Sequence, residues 1–203
     1  GSRFQVHYYE VMDRAGAVAF TDARLLLLPV RSLRGVFAWV TSPLLLRRLV
    51  RDNQNVKGVF LPAQVPTPSA ENACLVASDG CGLILTIGNQ QQIILEDLPL
   101  AVEPSQDVLN WAIELGKLLF PQEQDWQNAL KERLCLVSDD ALSFLLETAT
   151  EITARIRLED EKKTVAHGAL WYEEALPAET VLVSLVVDAT VKAKPEEVFK
   201  TVE

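Results

Sequence analysis

The chain has 203 residues, with 19 Lys and Arg against 28 Asp and Glu, a net charge of −9 and a pI near 4.8. A hydrophobic share of 49% with 23% charged residues is the composition of a folded domain with a sizeable core, which excludes an extended disordered chain. No apolar run approaches the roughly 20 residues a membrane helix needs and no secretory leader is present, so the sequence reads as that of a cytoplasmic protein with no membrane partner.

Residues 15–30 pass from alternating small and polar residues into the apolar run Leu25–Leu28. That is the pattern of a strand entering a buried sheet position, and Pro29 is expected to end its regular pairing. The segment RSLRGVFAWVT, 31–41, sets Gly35 ahead of a β-prone run and predicts a loop and then a strand. Ser42-Pro43 opens a helix, with serine as N-cap and proline in the first turn. Its leucines share one face, and Arg47, Arg48 and Arg51 lie towards another. Residues 53–72, with Pro62, Pro66 and Pro68, read as an extended surface loop. Between 73 and 103 three strands are expected, ACLVAS, GLILTIG and QQIILEDLPLAVE, parted by turns at Asp79-Gly80 and Gly88-Asn89. Ser105 caps a helix to about Phe120, a second helix covers about Glu123–Arg133, and Ser138-Asp139-Asp140 opens a third.

Residues 148–158, TATEITARIRL, alternate strictly. Ile152, Ala154, Ile156 and Leu158 face one way, and Glu151, Thr153, Arg155 and Arg157 the other. The polar run EDEKK turns and TVAHGALWYEE returns, giving a hairpin with one side too polar for a core, which is expected to project. A strand over 181–193 and a last helix from Pro195 complete the chain. Strands and helices mix without a βαβα rhythm, which indicates an α+β fold with an antiparallel sheet.

Charge is not spread evenly. Between Asp22 and Lys57 lie seven basic residues and two acidic ones, and a basic stripe on an acidic body can still bind a polyanion. Cys74, Cys81 and Cys135 form no CxxC pair, which argues against a disulfide scaffold and against structural zinc. His7 and His167 read as surface or packing residues, and no metal ligand set is assigned. Phosphate-binding, dinucleotide, nucleophile-elbow and HExxH motifs are absent. Glu173-Glu174 is the one carboxylate pair of interest. Adjacent residues of a strand point to opposite faces, so the two do not act as a matched pair, but either can serve as a general base or place a water or metal. Arg155, Arg157 and His167 share the hairpin with Trp171 and Tyr172, a combination that can wedge between bases and hold the backbone beside them. A plain edge hairpin is the other explanation.

Two long segments resemble one family. TDARLLLLPVRSLRGVFAWVTSPLLLRRLVRD, 21–52, and TATEITARIRL followed by GALWYEEALP are similar to the two signatures of the backbone RAMP subunit of type III-B (Cmr-type) CRISPR effector complexes, in the same order. The resemblance implies a ferredoxin-like (RRM-like) RAMP core over 1–147 with helical insertions, a protruding β-hairpin thumb over 148–174, and a return to the core over 175–203. It implies RNA binding to a guide (crRNA) and to a single-stranded target RNA, stacking with other copies, and assembly with other Cmr-type subunits. Guide contacts would fall on Arg31, Ser32 and Arg34, and hairpin contacts on Arg155, Arg157 and His167. Cleavage of target RNA would be that of an endoribonuclease using a divalent metal, Mg or Mn, with Glu173 and Glu174 as auxiliary residues.

In that family the cleaving aspartate sits in a loop that should precede residue 16. Residues 1–15 are too short for it, Asp13 is not in the matching context, and Ala175 stands where the family has tyrosine. This chain by itself is therefore expected not to cut RNA. The rival reading is a non-catalytic acidic protein–protein assembly module. A stand-alone guide-processing nuclease is disfavoured, because no histidine sits where an acid–base pair would need it.

Overall fold

The computed structural model describes residues 18–78, 80–158 and 165–188. Contacts divide the chain into two units, residues 1–24 with 183–203, and residues 25–182. In the smaller, β1 (Val18–Phe20) pairs antiparallel with β12 (Val186–Asp188), Ala19 opposite Val187. The Leu185 N–H donates to Thr21 Oγ1 at 2.8 Å, and the Thr21 N–H donates to the Leu185 carbonyl at 3.0 Å. The single strand expected over 181–193 is therefore two short ones, broken at Ser184-Leu185, with residues 189–193 and the helix expected from Pro195 outside the described residues.

The larger unit is built on β2 (Arg24–Arg31), β3 (Phe37–Thr41), α1 (Pro43–Asn53), β4 (Ala73–Val76), β5 (Leu85–Ile87), β6 (Gln90–Leu95), β7 (Leu98–Pro104), α2 (Gln106–Leu119), α3 (Gln124–Arg133), β8 (Leu134–Val137), α4 (Asp139–Thr148), β9 (Glu151–Leu158), β10 (Val165–Ala175) and β11 (Val181–Val183). Eight strands form one sheet in the order β11-β2-β3-β8-β4-β7-β6-β5. Antiparallel pairing predominates, but β3–β8 and β4–β7 are parallel. The α+β expectation holds, with this mixture added.

Three local expectations are corrected. Pro29 does not end β2. It pairs opposite Trp39 in mid-strand, since an extended φ suits proline and the three-residue β11 covers only part of the strand's other edge. QQIILEDLPLAVE is not one strand but the hairpin β6–β7, turned at Glu96, which adopts φ 49°. Of GLILTIG only Leu85–Ile87 is strand, while Leu83 and Ile84 are buried outside it.

The concave face of the sheet carries Leu28, Val30, Ala38, Val40, Cys74, Val76, Cys135 and Val137 in one apolar cluster with Leu142 and Leu145 of α4. The period-2 alternation of a strand puts Phe37 and Trp39 on the opposite face, where Trp39 meets Phe120 and Trp126 beside α2 and α3. Burial pushes the Cys81 thiol up to about 11, and the fully buried Cys135, hydrogen-bonded with Cys74, is raised as well. All three cysteines are core thiols. Ser105 Oγ and Ser138 Oγ cap α2 and α4 as expected. Ser42 occupies the N-cap of α1, but its hydroxyl makes no cap bond. Asp139 Oδ1 instead accepts from the Leu44 N–H at 3.0 Å, a carboxylate at a helix N-terminus.

Candidate nucleic-acid interface

The sheet curls until the end of β6 meets the end of β2. Ser32 is bridged to Leu95, the Leu33 N–H donates to the Ile94 carbonyl at 3.1 Å, and the Glu96 N–H donates to the Arg31 carbonyl at 2.8 Å. The loop 32–36 is thereby pinned at the seam. Gly35 adopts φ 80° and Val36 φ 74°. A Cβ on Gly35 would lie 2.8 Å from Leu83 Cδ2, so glycine is required there both for conformation and for space. Arg133 lies over the Phe37 ring, 5.4 Å from its centroid, and its guanidinium donates to the Gly35 carbonyl.

Beside this loop lies an open cleft of about 720 Å³. Its walls are the end of β2 with the following loop, the turn from α4 into β9, and the segment 177–179 that leaves β10. Arg31 and Ser32 line it. Arg31 is exposed with no ion pair among the described residues, while Ser32 is buried and its hydroxyl has no partner. Arg34 does not join them, because its guanidinium donates to the Ile84 carbonyl. Sequence spacing brought the three together, but the loop turns Arg34 to the other side of the seam.

Glu96, Glu151 and Glu179 share the cleft with Arg31. Four non-glycine residues among those described have positive φ, and three of them, Val36, Glu96 (49°) and Glu179 (69°), line this cleft. A residue held in that region costs roughly 1 to 3 kcal/mol and persists where its surroundings dictate it, a condition that clusters at ligand clamps and switch regions. Sequence reasoning missed these carboxylates. The Glu96-Asp97 pair inside QQIILEDLPLAVE, a stretch expected to run as one strand, is the one local signal that could have marked a turn there.

The hairpin β9–β10 forms a sheet of its own, with Trp171 opposite Arg155, Glu173 opposite Thr153 and Glu174 opposite Ile152, and an irregularity between Val165 and Leu170. Every side chain described in it is exposed, Ile152 at 71% and Tyr172 at 69%. The two glutamates do part to opposite faces. Glu173 accepts from Trp171 Nε1 and from Arg155 Nε, each at 3.0 Å. The Trp171 bond, followed by the Arg155 charge, holds its carboxyl below the usual range. Glu174 accepts from Thr150 Oγ1 at 2.7 Å, at the hairpin's foot. The lowered Glu173 carboxyl is a weaker proton acceptor than a free one, and both contacts tie side chains of the hairpin together. Arg155 is committed to that same pair. The side chains of Arg157 and His167 lie outside those described.

The sequence model of the RAMP superfamily matches residues 1–203, and the chain belongs to that superfamily. More particularly, it is 34% identical over 188 residues to the CRISPR system Cmr endoribonuclease Cmr4 of Pyrococcus furiosus, covering 91% of this chain and 59% of that protein. The fold is similar to the crystal structure of oligomeric Cmr4 from Pyrococcus furiosus, with a TM-score of 0.67 and 29% identity over 92% of this chain and 63% of that one. It is also similar to a chain of the type III-B Cmr-beta complex bound to cognate target RNA, with a TM-score of 0.59 and 17% identity over 95% of this chain and 63% of that one, a likeness of fold alone. The chain spans about six-tenths of the length of these relatives.

Proposed function

We propose that this chain is the guide-gripping part of a backbone subunit of a type III-B (Cmr-type) CRISPR effector, acting in the cytoplasm. It would bind crRNA, stack with further copies and other Cmr-type subunits, and present its hairpin to the paired target RNA. The observation that carries this reading is the placement of Arg31, without an ion pair among the described residues, at the end of β2 beside the pinned loop and at the foot of an exposed hairpin. An exposed guanidinium fork is well suited to a phosphodiester, and an exposed aromatic hairpin to bases. Arg31→Ala in the assembled protein is expected to weaken guide RNA binding at least fivefold, measured by fluorescence anisotropy. Unchanged affinity and assembly would remove Arg31 from the interface.

The full protein's endoribonuclease activity, with Mg or Mn, is part of the same proposal. Among the described residues no group of three His, Cys, Asp or Glu stands ready to hold a metal ion, and Glu173 and Glu174 are each already engaged. The described residues do not fit a resident metal. No helix among the described residues is long and apolar enough to cross a membrane. The second reading, a protein–protein assembly module, is favoured by one observation: three glutamates line the cleft with one arginine, a balance that suits a basic protein segment better than a phosphate.

A further inference from the structure

Two walls of the cleft are tied to one aromatic cluster. Trp39 is 1% exposed and points away from the apolar cluster of the concave face. Its indole Nε1–H donates to the Glu179 carbonyl at 3.2 Å, on the segment by which the chain leaves the hairpin. Glu179 adopts φ 69° inside a turn closed by Thr180, whose N–H and Oγ1 both donate to the Pro177 carbonyl. On the other side, Phe37 packs edge-on against Trp39, ring centroids 4.8 Å apart. Phe37 carries Arg133, which holds Gly35 of the loop beside Arg31. A buried indole N–H left without an acceptor is costly, so the bond to Glu179 is strongly selected once the ring is buried. It fixes a left-handed residue that would otherwise relax.

We propose that Trp39 is a positioning residue. Through its indole N–H it fixes the hairpin's second leg and so sets how far β9–β10 stands from the Arg31 loop. The inference rests on the guide-subunit reading only for what the hairpin acts upon, while the positioning itself is a property of the fold. Trp39→Phe keeps a ring in the core and removes the donor. Hydrogen exchange on the whole protein is expected to quicken about two- to tenfold in 151–158 and 170–175, the factor that corresponds to one net hydrogen bond, and to stay unchanged in β4 and β8. Thr180→Val, at the partly buried turn, is expected to act in the same direction without disturbing the core. Glu179→Gly, which keeps the carbonyl and suits the left-handed φ, is expected to leave the hairpin as it is.

A uniform rise over hairpin and core in Trp39→Phe would reduce Trp39 to a packing residue and overturn the proposal. So would an unaltered hairpin in both Trp39→Phe and Thr180→Val, or a Glu179→Gly hairpin as fast as that of Trp39→Phe. In the assembled protein, Trp39→Phe is expected to keep guide RNA affinity within twofold. If exchange responds as expected and neither the parent nor the variant binds guide RNA, the positioning stands and the guide-subunit reading fails.

Discussion

The curled sheet and the hairpin are opposite solutions to the same alternation of residues. In β3, β4 and β8 nearly every side chain is buried, because helices or loops cover both faces. In β9–β10 the alternation is as regular, yet Ile152, Leu170 and Tyr172 stand in solvent. What separates them is cover. The hairpin forms its own two-stranded sheet, and its described polar contacts lie within it, at Glu173 and at the Thr150–Glu174 foot. A two-stranded ribbon is marginal in water by itself. The core therefore carries the stability of the unit, and the hairpin carries surface that earns its place only in contact with something else.

Substitution at matched positions gives the largest test of this contrast. Leu28→Ala, fully buried, is expected to cost about 2–5 kcal/mol, and Ile152→Ala less than about 0.5 kcal/mol, by urea denaturation. Comparable losses would mean that the hairpin is part of the core. At the seam, Gly35→Ala is expected to lose about 2–4 kcal/mol, combining the left-handed Cβ penalty with overpacking against Leu83. A loss under about 1 kcal/mol would show that the loop is not pinned as described. Arg34→Ala is expected to cost about 1 kcal/mol of stability by releasing the Ile84 carbonyl, whereas Arg31→Ala leaves the melting temperature unchanged. Equal effects would erase the distinction between the two arginines.

Much of this was legible beforehand, and the failures share a cause. The helices were announced by Ser105, Ser138 and Ser42-Pro43, and the hairpin by alternation and a charged turn, all local signals. Strand β8 was not foreseen, since LCLV between two helices offers four apolar residues and no turn chemistry, although it lies at the middle of the sheet. The break at Glu96 is made by a residue with no intrinsic preference for positive φ, held there by the bond from its N–H to Arg31. The capping of α1 by Asp139 spans 95 positions. Of the residues singled out in the sequence, Arg31 and Ser32 line one cleft. Arg34 was separated from them, and Glu151 and Glu179 entered the cleft through packing that no short pattern encodes.

The smallest effect belongs to the hairpin. The hydrogen bond from Trp171, followed by the Arg155 charge, holds the folded Glu173 carboxyl below the usual carboxylate range. The stabilisation from its bonds to Trp171 and Arg155 is thus fully present at neutral pH and is lost only as pH falls through that lowered value. The Trp171 indole N–H resonance is expected to report a midpoint below that of an ordinary exposed glutamate, and a midpoint equal to or above it would contradict the hydrogen-bonded arrangement.

The central claim, that this fold grips a guide RNA, is tested most directly by measuring guide affinity of the assembled protein across a salt series, with Arg31→Ala alongside. The account predicts that log affinity falls linearly with log salt and that the slope is shallower by about 0.7 in the variant, the share of one phosphate contact on a single strand. No RNA binding, or binding insensitive to salt in both proteins, would contradict it and leave the acidic assembly module in its place.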